Sequence, residues 1–386
     1  MRILLTGGGT AGHINPALAI AETVKKNDPH AEIAFVGVKN GKETDLVPRE
    51  GYPLYFVESR GIRRSLSPSN VKALWLALTS PYSKKTVNIL KEFKPDMVIG
   101  TGGYACWPIM AAAARMGIPT AVHESNALPG LAIRRLQKKV DRIWINFERT
   151  ATLLSCPEKT LRVGNPLRDG FGGISREEAR RRLGIDPSRK VILSFGGSLG
   201  ATRVNQSVLE LMEKISAKDP AILHLHATGK REHSAVLEQA EKMGLDRAEN
   251  CVILDYIYDM PLQMAVADLI IARAGAMTLS ELSLMKKAAI LIPSPNVADN
   301  HQFLNAKTLA DAGAACLVEE KDLEEGSLTQ AVAALLEDPQ RGVRMEQAIS
   351  AFADPKANQH IWEEIKKAIS DNKESEKIKN SNNVKV

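Results

Sequence analysis

The four cysteines of this 386-residue chain, Cys106, Cys156, Cys251 and Cys316, stand far apart and form no Cys-x-x-Cys pair. That spacing excludes a zinc site built on such pairs and a disulfide framework, and it fits a reducing cytoplasm. No apolar run approaches the roughly 20 residues that cross a bilayer, so any membrane contact is expected at the surface. Glycine interrupts the N-terminal apolar run at the seventh residue, which does not read as a signal peptide. Asp-x-Asp occurs nowhere in the chain, which argues against a metal-bridged diphosphate; neither metal nor cofactor is expected. Aromatic residues make up only 5%, and no recognised nucleic-acid-binding motif is present, so nucleic acid is not an expected partner.

What is present is an ordinary globular composition, 44% hydrophobic and 25% charged, in a chain long enough for about two domains. Charge is unevenly spread. Residues 1–165 carry 23 Lys/Arg against 13 Asp/Glu, a net +10, whereas residues 166–386 carry 28 against 32. A basic first half suggests an acidic partner: anionic lipid, a phosphorylated substrate or nucleic acid.

Short apolar runs alternate with amphipathic stretches throughout. Strands are expected near residues 3–6, 33–37, 54–57, 97–100, 120–123, 142–145 and 161–163, then 191–195, 222–227, 252–254, 269–272, 289–292 and 315–318. This alternation predicts an α/β protein with parallel sheets covered on both faces, binding ligands at the carboxyl ends of its strands. Glycine and proline cluster in GNPLRDGFGG, followed by the charged run REEARRRLGI, placing the domain break around 164–182: 1–163 with a returning helix at 353–370, then 164–352. The polar segment 371–386 is expected to be disordered.

Three apolar strands run into glycine turns: Gly7-Gly8-Gly9 with Gly12, Gly102-Gly103-Tyr104, and Gly196-Gly197-Ser198-Leu199-Gly200. Such turns bring bare backbone amides and a helix N-terminus together, which suits an anionic ligand. Gly7-x-Gly9-x-x-Gly12 matches the dinucleotide fingerprint, but the acid expected after the second strand is replaced by Val38 and Lys39. No Gly-Lys-Ser/Thr follows, so a P-loop also fails. All three turns are expected to face a cleft between two domains.

His13 opens the first helix, either as a general base near neutral pH or as a cap. Thr278-x-x-Glu281 is either a capping box or a helix start left open for phosphate, with Glu281 accepting from ribose hydroxyls. His123-Glu124 begins a metalloprotease-like motif that fails at Ala127. Residues 60–94 hold eight Lys/Arg and the single acid Glu92, around an apolar run that includes Leu74, Trp75 and Leu78. That run is either a core helix or a patch that dips into anionic lipid.

GGGTAGHINPALAIA, TGGY, HESNALPG, GNPLR, GGSLGATRVN, RAGAMTLSEL and DNHQFLNA occur in this order. The set closely resembles the MurG family, peptidoglycan N-acetylglucosaminyltransferases of the GT-B fold with two Rossmann-like domains. The resemblance implies an inverting transfer from UDP-N-acetylglucosamine to the 4-hydroxyl of the muramoyl unit of lipid I, making lipid II at the cytoplasmic face of the plasma membrane. It also implies that Ile257 pairs with uracil, Arg168 lies near the nucleotide and Glu281 holds the ribose. Ser198, Ala276, Met277 and Thr278 would contact the diphosphate, and Gln302 the sugar hydroxyls. Asn126, Thr10, Ala11 and Gly12 would close over the sugar. Gly8, Gly9, Gly102, Gly103 and Tyr104 would take the acceptor diphosphate, with His13 as the base.

Overall fold

The computed structural model describes residues 1–60, 76, 79–197 and 200–383. It contains two compact units: residues 1–168 with 354–386, and residues 169–353.

The first unit is a seven-stranded sheet of β1 (Arg2–Thr6), β2 (Glu32–Gly37), β3 (Leu54–Phe56), β4 (Met97–Gly100), β5 (Thr120–Glu124), β6 (Arg142–Ile145) and β7 (Thr160–Arg162). Its order is β3-β2-β1-β4-β5-β6-β7, with every pairing parallel. Ile3, Leu4 and Leu5 of β1 are fully buried, because helices cover both faces of a central parallel strand. Burying each such side chain is worth about 1.5–3 kcal/mol. Register sets Leu5 beside Phe35 and Ile99, and Thr6 beside Gly100, so the glycine turns after β1 and β4 leave the sheet at the same level.

The second unit repeats the design. Its strands β8 (Lys190–Phe195), β9 (Ile222–Ala227), β10 (Cys251–Leu254), β11 (Leu269–Ala272), β12 (Ala288–Leu291) and β13 (Cys316–Leu317) are ordered β10-β9-β8-β11-β12-β13, again all parallel. In each unit the strand order reverses beside the first strand, the place where open α/β sheets hold ligands.

Two boundaries differ from the sequence expectation. Residues 164–168 pack with the first unit: Leu167 exchanges hydrogen bonds with Asn358, and the His123 ring lies 2.8 Å from the Gly164 carbonyl. The returning helix runs Ala357–Asn383, well past Asp371. Its apolar residues Ile361, Ile365 and Ile369 join the core around Ile3 and Leu5. Arg142 holds Asp371 at 2.5 Å and Ser375 bonds back to the Asp371 carbonyl, carrying the helix into a segment that lacks an apolar stripe.

Candidate active site

In the first domain, β1 ends at Thr6 and the chain turns through Gly7, Gly8 and Gly9 into the helix Ala11–Asn27. Gly9 has φ +86°, and a side chain there would strike the Tyr104 ring at 2.6 Å. The partner turn after β4 has Gly102 at φ +105° and Gly103 at φ +80°. The His13 ring lies against it: a Cβ on Gly102 would sit 2.8 Å from Cδ2 and one on Gly103 3.1 Å from Nδ1. Thr101 Oγ1 donates to the His13 carbonyl at 2.6 Å and ties the two turns together. His13, Thr10, Ala11, Gly12, Gly102, Gly103 and Tyr104, drawn from two turns up to 94 residues apart in sequence, thus form one cluster.

The tautomer of His13 follows from its neighbours. Nδ1 is 3.2 Å from the carbonyl oxygen of Gly8, which can only accept, and 3.1 Å from Thr10 Oγ1. The proton therefore belongs on Nδ1 and the lone pair on Nε2. A neutral imidazole in this form can take a proton from a hydroxyl at Nε2.

Gly8 and Gly9 do not offer their amides to the acceptor diphosphate expected from the resemblance. Their amides point into the domain: Gly8 donates to the Gly102 carbonyl at 3.3 Å and Gly9 to Glu43 Oε2 at 3.0 Å. The donors left for an anion are the first-turn amides at Ala11 and Gly12, which have no acceptor within their helix. Glu43 was missed by sequence reasoning. It is 1% exposed and also accepts from the Val38 amide at 2.9 Å. The legible signal was a trio of glycines: a Cβ on Gly8, Gly37 or Gly41 would collide with its side chain.

Asn126 follows β5 and is oriented by a second missed acid. Glu124 accepts from the Asn126 amide at 2.9 Å, from its side-chain nitrogen at 3.0 Å and from the Gly130 amide at 2.7 Å. Burial raises the Glu124 carboxyl above its ordinary range, and those bonds pull it back. Arg168, expected near the nucleotide, instead forks onto Glu50 at 2.8 and 2.9 Å, with Glu22 at 3.5 Å.

In the second domain, the helix Ala276–Met285 follows β11 with Gly275 as its N-cap. The capping box is not formed. Thr278 falls in the first turn, the N-cap Gly275 has no side chain to offer, and the first turn holds no acid. No acid of the helix's own first turn thus offsets its positive dipole. Glu281 lies one turn on, and burial pushes its carboxyl up to about 7. Arg273, which sequence reasoning quoted only within a motif, pairs with Glu320 and bonds the carbonyls of Ile292 and Pro293, bracing the loop after β12. Gln302 opens the helix His301–Asp311 and accepts from the Ser294 amide at 2.9 Å. Ile257 is buried just beyond β10. The turn after β8 has Gly197 at φ +95° and Gly200 at φ +83°, where a Cβ on Gly200 would strike Glu232 at 2.8 Å. Ser198 lies outside the described residues, as do Leu74, Trp75 and Leu78.

Residues 3–145 match the model of the glycosyltransferase family 28 N-terminal domain and residues 191–361 that of the family 28 C-terminal domain. The UDP-N-acetylglucosamine–N-acetylmuramyl-(pentapeptide) pyrophosphoryl-undecaprenol N-acetylglucosamine transferase of Acetivibrio thermocellus is 40% identical, over 95% of this chain and 98% of its own. This chain belongs to the MurG family of glycosyltransferases. A MurG relative from Thermoanaerobacter sp. strain X514 is also 40% identical, over 95% and 99% of the two chains. The crystal structure of Acinetobacter baumannii MurG is 26% identical, with a TM-score of 0.73 over 95% of this chain and 99% of that one. The UDP-N-acetylglucosamine 2-epimerase of Neisseria meningitidis, 16% identical with a TM-score of 0.63 over 95% and 100%, shares the fold alone. The α/β fold of the MurG family, GT-B with two doubly wound parallel sheets, is the one expected from sequence.

Proposed function

We propose that the chain moves N-acetylglucosamine from UDP-N-acetylglucosamine to the 4-hydroxyl of the muramoyl unit of lipid I, yielding lipid II for cell-wall synthesis with inversion at the anomeric carbon. The observation that carries this reading is His13, whose Nδ1 lies 3.2 Å from the Gly8 carbonyl where two glycine turns meet, in a member of the MurG family. His13 Nε2 takes the proton of the attacking hydroxyl while the bond from the sugar to UDP breaks.

The nucleotide belongs to the second domain. Ile257 pairs with uracil, Glu281 accepts from the ribose, and the amide end at Ala276, Met277 and Thr278, with Ser198, receives the diphosphate. Charge growing on the departing UDP is stabilised there by the helix dipole, which requires no metal. Gln302 offers its side-chain nitrogen to the sugar, since its oxygen is taken by Ser294. Asn126 and Thr10 meet the sugar from the first domain. The acceptor diphosphate lies by Ala11, Gly12, Gly102, Gly103 and Tyr104. Arg168 is left out of the donor set because two carboxylates already hold its guanidinium.

The first domain also meets the anionic inner surface of the membrane as a peripheral partner. Among the described residues no helix is long and apolar enough to cross a membrane. Within the basic stretch, Tyr82 is 68% exposed with Arg115 stacked on its ring at 4.2 Å, and Lys84 and Lys85 are exposed. An aromatic edge framed by cations suits a headgroup layer.

Labelled UDP-N-acetylglucosamine offered with a lipid I analogue or with diacylglycerol tests the reading. Label should enter the lipid I analogue. Transfer to diacylglycerol instead, or release of an epimer without acceptor, overturns it.

A further inference from the structure

The carbonyl of Gly8 and the amide of Gly9 belong to one planar peptide group, so what binds one end is felt at the other. Glu43 Oε2 accepts from the Gly9 N–H at 3.0 Å, and His13 Nδ1 lies 3.2 Å from the Gly8 oxygen. We propose that Glu43 is a positioning residue for the transfer, acting on His13 through the peptide bond that joins Gly8 to Gly9. The inference rests on the reading of His13 as base.

The geometry is specific. Glu43 is fully enclosed, and an enclosed carboxylate costs several kcal/mol unless its oxygens are bonded. Here each oxygen takes a backbone amide, Gly9 on one side and Val38 on the other. Three glycines, at 8, 37 and 41, leave the room that the side chain fills. On the other side of Gly9 the Tyr104 ring closes the sandwich. The peptide plane thus has little freedom to turn, and its carbonyl is aimed at Nδ1.

A carboxylate on the N–H polarises the amide, which makes its carbonyl a better acceptor. That favours the proton on Nδ1 and stabilises the imidazolium formed when Nε2 takes a proton. The logic is that of a carboxylate orienting a catalytic histidine, with a peptide group placed between the two.

The test compares Glu43→Gln, His13→Gln and the double variant in the lipid I transfer assay. Glu43→Gln should lower kcat about tenfold or more while KM for UDP-N-acetylglucosamine is unchanged. In the His13→Gln background it should cost nothing further, since the path ends at His13. Equal losses in both backgrounds, or a loss confined to KM, overturn the proposal. Full activity of His13→Gln overturns the base assignment instead, which keeps the two failures apart. If Glu43→Gln does not fold, nitrogen-15 NMR of the wild-type His13 ring decides: the Nδ1–H tautomer supports the relay, and the Nε2–H tautomer overturns it.

Discussion

His13 Nδ1 faces the Gly8 carbonyl at 3.2 Å, a contact that favours the proton on Nδ1 and the lone pair on Nε2, as the proposed role of base requires. His13→Gln should therefore lower kcat by about 10²–10⁴-fold, the usual contribution of a general base. Binding of UDP-N-acetylglucosamine, assigned to the other domain, should stay unchanged by calorimetry. A comparable loss of donor affinity would make His13 a binding residue.

Glu281 should report nucleotide binding through a proton. Burial pushes its carboxyl up to about 7, so near neutral pH the free protein keeps a proton there that an ordinary glutamate would have lost. Ribose hydroxyls that donate to the carboxylate favour the charged form, so binding of UDP should release protons at pH 7. Calorimetry in two buffers of different ionisation enthalpy measures the release. Glu281→Gln should abolish it and weaken UDP by about 1.5–3 kcal/mol. Proton uptake by the wild type would contradict the assignment.

Both domains should lose stability in mild acid. Burial lowers His123 from 6.5 to about 4 and holds His224 and His226 well below their ordinary range. In the second domain Ser194 bridges the pair at 3.0 and 2.8 Å, and Ser216 holds the far side of His224 at 2.9 Å. Unfolded histidines take up protons that the folded ones refuse. The stabilisation is complete above about 6.5 and falls by up to about 1.4 kcal/mol per pH unit for each histidine as pH drops toward 4. Urea midpoints measured at pH 7 and 5 check this, and equal midpoints would refute it.

Membrane attachment is testable on the basic stretch. Trp75→Ser combined with Leu78→Ser should reduce sedimentation with anionic vesicles, because apolar burial worth a few kcal/mol is lost. Catalysis on a water-soluble lipid I analogue should persist. Unchanged vesicle binding in a folded double variant would assign these residues to the core.

Period and punctuation made the architecture legible in the sequence alone. Each expected strand forms within a residue or two of its place, because buried parallel strands demand short apolar runs and glycine turns mark their ends. The Gly7–Gly12 and Gly102–Tyr104 turns, His13 and the Ala276–Met285 helix were likewise visible as strand-end features. What a one-dimensional reading could not decide was who bonds whom. Glu43 carried no signal of its own and Glu124 only a failed metalloprotease motif, yet each folds back onto backbone amides beside a strand-end loop. The Thr278–Glu281 spacing satisfied the rule for a cap, but the helix begins at Ala276 and leaves that rule unused. Gly8 and Gly9 supplied the right residue type for an anion, and the sheet register turned their amides inward. Side-chain type and spacing are local properties, so sequence determined the strands, the glycine turns at their ends and the place of His13 beside one of them. The direction of each hydrogen bond depends on neighbours tens of residues away, and only the packed tertiary structure decided it.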